Sequence, residues 1–300
     1  MLNVFYRPEQ CALQSSFSPS SGKPRYVVND WVSRFGASVN VCEFEPVGRE
    51  AFKLVHDAAM VDGVLDGVRS NGFGNTSAEV ARALPYTTGS MLAAAEEAVL
   101  HRTQTCSPTS GFHHADFAGP QGFCTFNGLM VTAVLMKRAG LVQSVGILDL
   151  DAHYGNGTAD IMRRFRMDWV RHHTFGAHFH SRRDVVAHDG AGTTFTRWLS
   201  AAIEDLRACD LILYQAGADP HVDDPLGGIL TTGEMRLRDR MVFEGLRGKP
   251  LVWNLAGGYQ REEVAPDGQW DPVALELEPV LALHRQTLVE HLKVLEAVAA

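Results

Sequence analysis

Three stretches of this chain, "SVGILDL" (144–150), "LILYQAG" (211–217) and "PLVWNLAGG" (250–258), are apolar along nearly their whole length. A strand with one face in water alternates apolar and polar residues, whereas a strand covered on both faces does not. Between these runs lie segments whose apolar residues recur at helical spacing: residues 126–140, 157–166, and the neighbourhoods of 195–208 and 232–246. Buried strands separated by helices restrict the chain to an α/β architecture, a central parallel sheet with helices on both faces. Upstream, "LNVFY" reads as a first strand, and "YVVNDWVSRFG" as a helix closed by Gly36. "SVNVCEF" reads as a second strand, residues 50–60 and 77–101 as helices, and the region near 168–174 as another strand. A last helix is expected over 275–297. No internal repeat, low-complexity block or linker interrupts the pattern, so residues 1–300 are expected to form a single domain.

The net charge is −8 and the sequence pI about 5.9. That balance argues against a nucleic-acid partner, which needs a basic face to displace counterions from phosphates. The five cysteines, Cys11, Cys42, Cys106, Cys124 and Cys209, are scattered and form no C-x-x-C pair. They read as reduced thiols of a cytoplasmic protein. "MLNVFYRPEQ" lacks the basic-then-apolar order of a signal peptide, and no run is long and apolar enough to predict a membrane span.

In doubly covered parallel sheets, ligands bind beyond the carboxyl ends of the strands. There the chain places "DLDAHYGNG", "GADPHVDDPLGG" and "AGGYQ". Asp151 and His153 stand two apart; if the chain is still extended there, both side chains point the same way. Asp219, at a second strand end, could complete an Asp–His–Asp set, leaving a coordination position open for water. Each piece alone has a plainer explanation as polar residues ending a strand. In "GFHHADFAGPQGFC", the imidazoles of His113 and His114 could move protons beside such a site. Gly257 and Gly258 permit a sharp turn that would present the phenol of Tyr259 to a carbonyl oxygen gaining charge.

Together, "GFHHA" with "GFC" downstream, "DLDAHYGNGT", "GADPHVDDPLGG" and "LAGGY", in this order, resemble the zinc-dependent histone deacetylase family. That family includes the bacterial acetylpolyamine amidohydrolases and the acetoin-utilisation-type deacetylases. The resemblance implies an arginase/deacetylase-like fold and an amidohydrolase that removes acetyl or similar acyl groups from acetyl-lysine or acetylated amines, releasing acetate. It implies one Zn2+ per chain held by Asp151, His153 and Asp219. His113 and His114 fall on the tandem proton-handling histidines, and Asp149 on the acid that orients the first of them. Asn156 stands where members carry Asp or Asn, Tyr259 on the carbonyl-polarising tyrosine, and Phe123 on an aromatic wall of the acyl-lysine tunnel; Gly257 is also expected to bind substrate. "GKPR" looks like the segment near the acetate exit, with Arg25 in the matching place. Because Asn156 adds no negative charge, its partner, expected to be His114, should be less basic than one paired with Asp.

The chain departs from the pattern in "VRHHTFGAHFHSRR", where the family carries potassium (K+) ligands and a second tunnel aromatic. His173 or Thr174 takes the serine position, and Phe175 or Phe179 is expected to supply the ring. His172, His173, His178 and His180 read as surface or core residues. The loop "RSNGFGNTS" (69–77) is a rim of unassigned role. Two alternatives compete. A ureohydrolase of the arginase kind needs two manganese ions, but Gly155 and His221 stand where its extra acids belong. A silent acyl-group binder would have no use for His113, His114 and Tyr259. The acyl acceptor is not identified by sequence, and the oligomeric state stays open, a homo-oligomer included.

Overall fold

The computed structural model describes residues 1–13, 16–187, 192–262 and 272–299. Seven strands are assigned in it: β1 (Leu2–Phe5), β2 (Val39–Cys42), β3 (Gln104–Cys106), β4 (Val145–Asp149), β5 (Val170–Thr174), β6 (Leu211–Gln215) and β7 (Leu251–Asn254). They form one sheet in the order β2-β1-β3-β7-β6-β4-β5, and every pairing is parallel. The helices are α1 (Lys23–Phe35), α2 (Arg49–Phe52), α3 (Ala58–Leu65), α4 (Ala78–His101), α5 (Gly128–Arg138), α6 (Asn156–Phe165), α7 (Arg182–Val186), α8 (Thr194–Leu206), α9 (Thr232–Gly245), α10 (Pro272–Glu276) and α11 (Glu278–Ala299).

The uninterrupted apolar runs are explained by two cores, one on each face. Along β6, Ile212 and Tyr214 join a core with α1, α8, α9 and α11, while Leu211 and Leu213 join another with α3, α4 and α5. The same alternation divides Leu148 from Ile147, and Trp253 from Val252. Both sets are dry, so the period of two that marks a half-wet strand disappears from the sequence.

The differences from the sequence reading have local causes. β3 escaped notice because a three-residue strand, "QTC", carries little apolar signal. The expected helix over 50–60 is two helices, α2 and α3, separated by residues 53–57. α1 begins at Lys23, ahead of the expected "YVVNDWVSRFG", with Pro24 at a first-turn position where its missing N–H costs nothing. β4 ends at Asp149, so Asp151 and His153 lie beyond the strand, and strand alternation is not what aligns them.

Candidate active site

Four chain segments converge at the carboxyl ends of β3, β4, β6 and β7. The loop after β4 is stitched to its neighbours through the two buried carboxylates. Asp219 Oδ1 accepts from the backbone N–H of Ala152 (3.3 Å), and Asp151 Oδ2 accepts from that of Gly257 (2.9 Å). Asp151, His153 and Asp219 thus come together, each offering one ligand atom, all within 4.8 Å of one another. His153 Nδ1 lies 3.0 Å from both carboxylates. The glycines around them are required by space. A Cβ on Gly257 would sit 2.6 Å from Asp219 Oδ2 and 2.8 Å from Asp151 Oδ2, and one on Gly217 would sit 2.6 Å from Asp219 Oδ1.

Two carboxylates this close and fully enclosed cannot both carry charge without a cation between them. Burial and the charge of Asp151 push Asp219 up to about 8. Burial also opposes charge on Asp151, but the neighbouring charges of His113 and His153 overcome it and hold this carboxyl well below its usual range. Hydrogen bonds to Asp151 and Asp219 raise His153 to about 11, so its imidazolium proton does the bridging. Two oxygens and one nitrogen in this cradle suit a divalent cation in place of that proton, with a coordination position left over for water. Among the described residues this is the one such group of side chains.

The tandem histidines differ from each other. His113 Nδ1 is 2.8 Å from Asp149 Oδ2, and His114 Nδ1 is 2.6 Å from Asn156 Oδ1. Burial disfavours a charge on His113, but Asp149 and then Asp151 outweigh it and raise the ring to about 9. His114 has no such acid: burial, then the charge of His113, lowers it to about 4. The loop carrying the pair is clamped onto α6, because Thr158 N–H donates to His113 O and a Cβ on Gly157 would strike Ala115 O at 2.4 Å. Gly122, at φ +54, leaves room for the His114 ring, which a Cβ would approach within 2.4 Å.

Tyr259 is 7% exposed, and burial, then Asp151 and Asp219, keep its phenol protonated well above the usual range. Its backbone N–H donates to Asp224 Oδ2 (2.8 Å). The Phe123 ring lies 5.8 Å from the Tyr259 ring, tilted by 47°.

Two expectations are not met, those for Arg25 and for the second tunnel aromatic. Arg25 is exposed on α1, and the cation that turns inward is Lys23, whose Nζ donates to the carbonyls of Ala256 (2.8 Å) and Gly257 (3.0 Å). The first turn of a helix puts residues 23 and 25 on different faces, so only one can reach the interior. Phe175 and Phe179 do not face the site; they stack on each other at 4.8 Å and pack on Phe195 in the core, because apolar rings at this strand end find an apolar cluster. At the serine position, Thr174 Oγ1 accepts from Gly155 N–H, while His173 turns away to Asp205. His178 and His180 are exposed. His172 is enclosed, with Nε2 3.8 Å from Asp149 Oδ2. His221 is engaged elsewhere, with Gln260 at Nδ1 and Thr232 at Nε2, both 2.8 Å.

Sequence reasoning also missed Arg238. Fully buried on α9, its Nη1 donates to Gly217 O (2.6 Å) and Leu150 O (3.3 Å), tying together the strand ends that lead into Asp219 and Asp151. A charged residue on an amphipathic helix carries no sequence mark of burial, and only its contacts with the carbonyls of Gly217 and Leu150 reveal it.

Comparison with known proteins agrees with this geometry. The family described as histone deacetylase domain matches residues 25–183. An uncharacterized protein of Picosynechococcus sp. is 30% identical over 235 residues, covering 71% of this chain and 76% of its own length. Histone deacetylase 10, chloroplastic, of Oryza sativa subsp. japonica is 32% identical over 180 residues, 51% of this chain but 40% of its own. Among solved structures, the HDA15 HD domain superposes with TM-score 0.66 at 19% identity, covering 98% of this chain and 93% of that one. An acetylpolyamine aminohydrolase from Burkholderia pseudomallei gives 0.66 at 18%, covering 97% and 98%. The two structures share the fold, the arginase/deacetylase arrangement of a parallel sheet between helices. With the family matched over more than half its length, this chain belongs to the histone deacetylase domain family.

Proposed function

We propose that this chain is a zinc-dependent amidohydrolase that removes acetyl groups from acetyl-lysine or acetylated amines and releases acetate. Residues 1–300 act in this reading as one catalytic domain. The observation that carries it is the convergence of Asp151, His153 and Asp219 beside a paired imidazole couple and a neutral phenol. Three protein ligands of this kind fit zinc with an open position. Zinc bound there would polarise the amide carbonyl and lower the pKa of water.

The protein's own groups divide the proton work. His114, kept neutral by burial and by a neutral partner, is the base that takes a proton from the attacking water. His113 is held charged by Asp149 and stabilises negative charge at the reacting centre. The proton on His114 then passes to the departing amine. Tyr259 donates to the oxygen of the tetrahedral centre, a contribution of the oxyanion-hole kind. Lys23, Asp224 and Arg238 fix the loops bearing Tyr259, Asp151 and Asp219.

Gly155 argues against the two-metal ureohydrolase, since a Cβ there would stand 2.5 Å from Asp149 Oδ2 and leaves no room for an acid. The test is release of acetate by the zinc-loaded protein from acetyl-lysine peptides and acetylated amines. A zinc-loaded protein that binds such substrates without releasing acetate would refute the proposal.

A further inference from the structure

Beyond the assigned motifs, two more rings stand in line with Tyr259. Phe123 lies 5.8 Å from Tyr259, and Phe73 lies 5.9 Å from Phe123. On the other side, Phe17 is stacked on Tyr259 at 6.2 Å and 15°. The four rings run from a nearly buried phenol out to Phe17, which is 56% exposed. Neither new ring is loosely held. Phe73 belongs to the loop 69–77, whose backbone is zipped onto the Phe123 segment. Gly72 N–H donates to Thr125 Oγ1 (3.0 Å), Phe123 N–H donates to Gly72 O (3.1 Å), and Asn71 Oδ1 accepts from Phe73 N–H (2.8 Å). A Cβ on Gly72 would meet the Cys124 backbone at 2.5 Å, so the loop lies as close as a chain can. Phe17 is fixed from the opposite side: Arg261, two residues past Tyr259, donates to the carbonyls of Ser16 (3.4 Å) and Phe17 (3.3 Å) and pairs with Glu276.

We propose that Phe17 and Phe73 are specificity-determining residues. With Phe123 they extend the site outward as an aromatic collar that grips an apolar flank beyond the scissile amide. The inference rests on the deacetylase reading and narrows its substrate class. An acyl-lysine beside an aromatic or aliphatic residue buries its neighbour against these rings. An acetylated polyamine instead brings a second ammonium a few carbons from the amide. Phenylalanine faces attract a cation less than tryptophan does, and a charge gains little by leaving water for them. An exposed ring continuous with a reaction centre is also the kind of apolar surface that marks a binding site.

The experiment compares three substrates on the zinc-loaded protein: an acetyl-lysine peptide flanked by aromatic residues, the same peptide flanked by glycine, and an N-acetylated polyamine. Acetate release gives kcat and KM, and calorimetry gives the binding of each. Wild-type protein favours the aromatic-flanked peptide. Phe17→Ala raises KM and weakens binding for that peptide about five- to tenfold, the scale expected for losing a half-buried ring, while kcat changes far less. The glycine-flanked peptide barely responds. Phe73→Leu, which keeps apolar bulk where Phe73 packs near Val80 and Ala83, acts in the same direction. The collar is overturned if both variants bind all three compounds as wild-type does, or if the polyamine is preferred and its binding is what the variants lose. Collar-dependent binding without acetate release sinks the deacetylase reading alone. Acetate release with collar-independent binding sinks this inference alone.

Discussion

Asn156→Asp is the most informative single change, because it moves one charge and little else. Asn156 Oδ1 lies 2.6 Å from His114 Nδ1, so an aspartate there places a negative charge about 4 Å from the centre of the ring. At the effective dielectric of about 20 that suits such sites, two unit charges at that distance interact by about 4 kcal/mol, or about three pH units. That is a ceiling. The new carboxylate must itself be desolvated, which removes part of the gain, although its place at the first residue of α6 favours negative charge. The expected rise is therefore about one to two units from the present value of about 4. A base must be deprotonated to act, so raising its pKa moves the acidic limb of the pH–rate profile upward by the same amount. The assay is kcat/KM for acetate release between pH 4 and 9 at saturating zinc, with melting temperature as the control for folding. If the limb stays where it is in a folded, active variant, His114 is not the base and the division of roles between the two histidines is wrong.

Other outcomes follow from the same geometry. Tyr259→Phe lowers kcat by about 10²- to 10³-fold while zinc content, measured by elemental analysis, is unchanged. Gly257→Ala forces a methyl into the 2.6 Å gap at Asp219, and both zinc affinity and melting temperature fall, with about 2 kcal/mol or more of stability lost. Zinc-free protein loses stability as pH rises from about 6.5 to 8. Asp219, His113 and His153 all have folded-state pKa values raised above their unfolded ones, so their contributions disappear as pH rises toward about 8, 9 and 11. The histidines lowered by burial, His56, His114, His284 and His291, are neutral when folded and half protonated when unfolded near pH 6.5, so they oppose the loss only at the bottom of that window. Zinc bound there would replace the bridging proton, so the zinc-loaded protein is expected to show a much flatter profile in denaturant titrations. Arg238→Met unties Gly217 and Leu150 and weakens zinc binding measured by competition with a chelator.

Much of this was legible in the sequence, and the rest was hidden for stated reasons. Strands buried on both faces announce themselves as unbroken apolar runs, and β4, β6 and β7 did so. The Asp–His–Asp set and the tandem histidines were legible because each sits beside a strand end within a short motif. What sequence pattern does not carry is a contact between distant segments made by residues of ordinary type. Lys23 and Arg238 look like solvated charges until the carbonyls they serve, Ala256 and Gly217 among them, are seen in space. Phe17 and Phe73 look like stray rings in polar loops until Tyr259 and Phe123 are placed between them. The reverse error has the same root: Phe175 and Phe179 sit near a strand end, as tunnel residues should, but their neighbours are Phe195 and Trp198.

The place of β7 in the sheet has a consequence for how the protein comes to be made. β7, last in chain order among the described strands, lies at the centre, between β3 on one side and β6 on the other, and among the described residues no other strand pairing joins the two halves of the sheet. Until residues 251–254 are synthesised, the amino-terminal strands and the strands bearing the aspartates share no ladder, only the packing of α3, α4 and α5 on β4 and β6. Lys23 has no carbonyls to hold, and Asp151 lacks the amide of Gly257. The cradle around Asp151, His153 and Asp219 is therefore complete only once β7 and the loop after it have folded against the rest of the sheet.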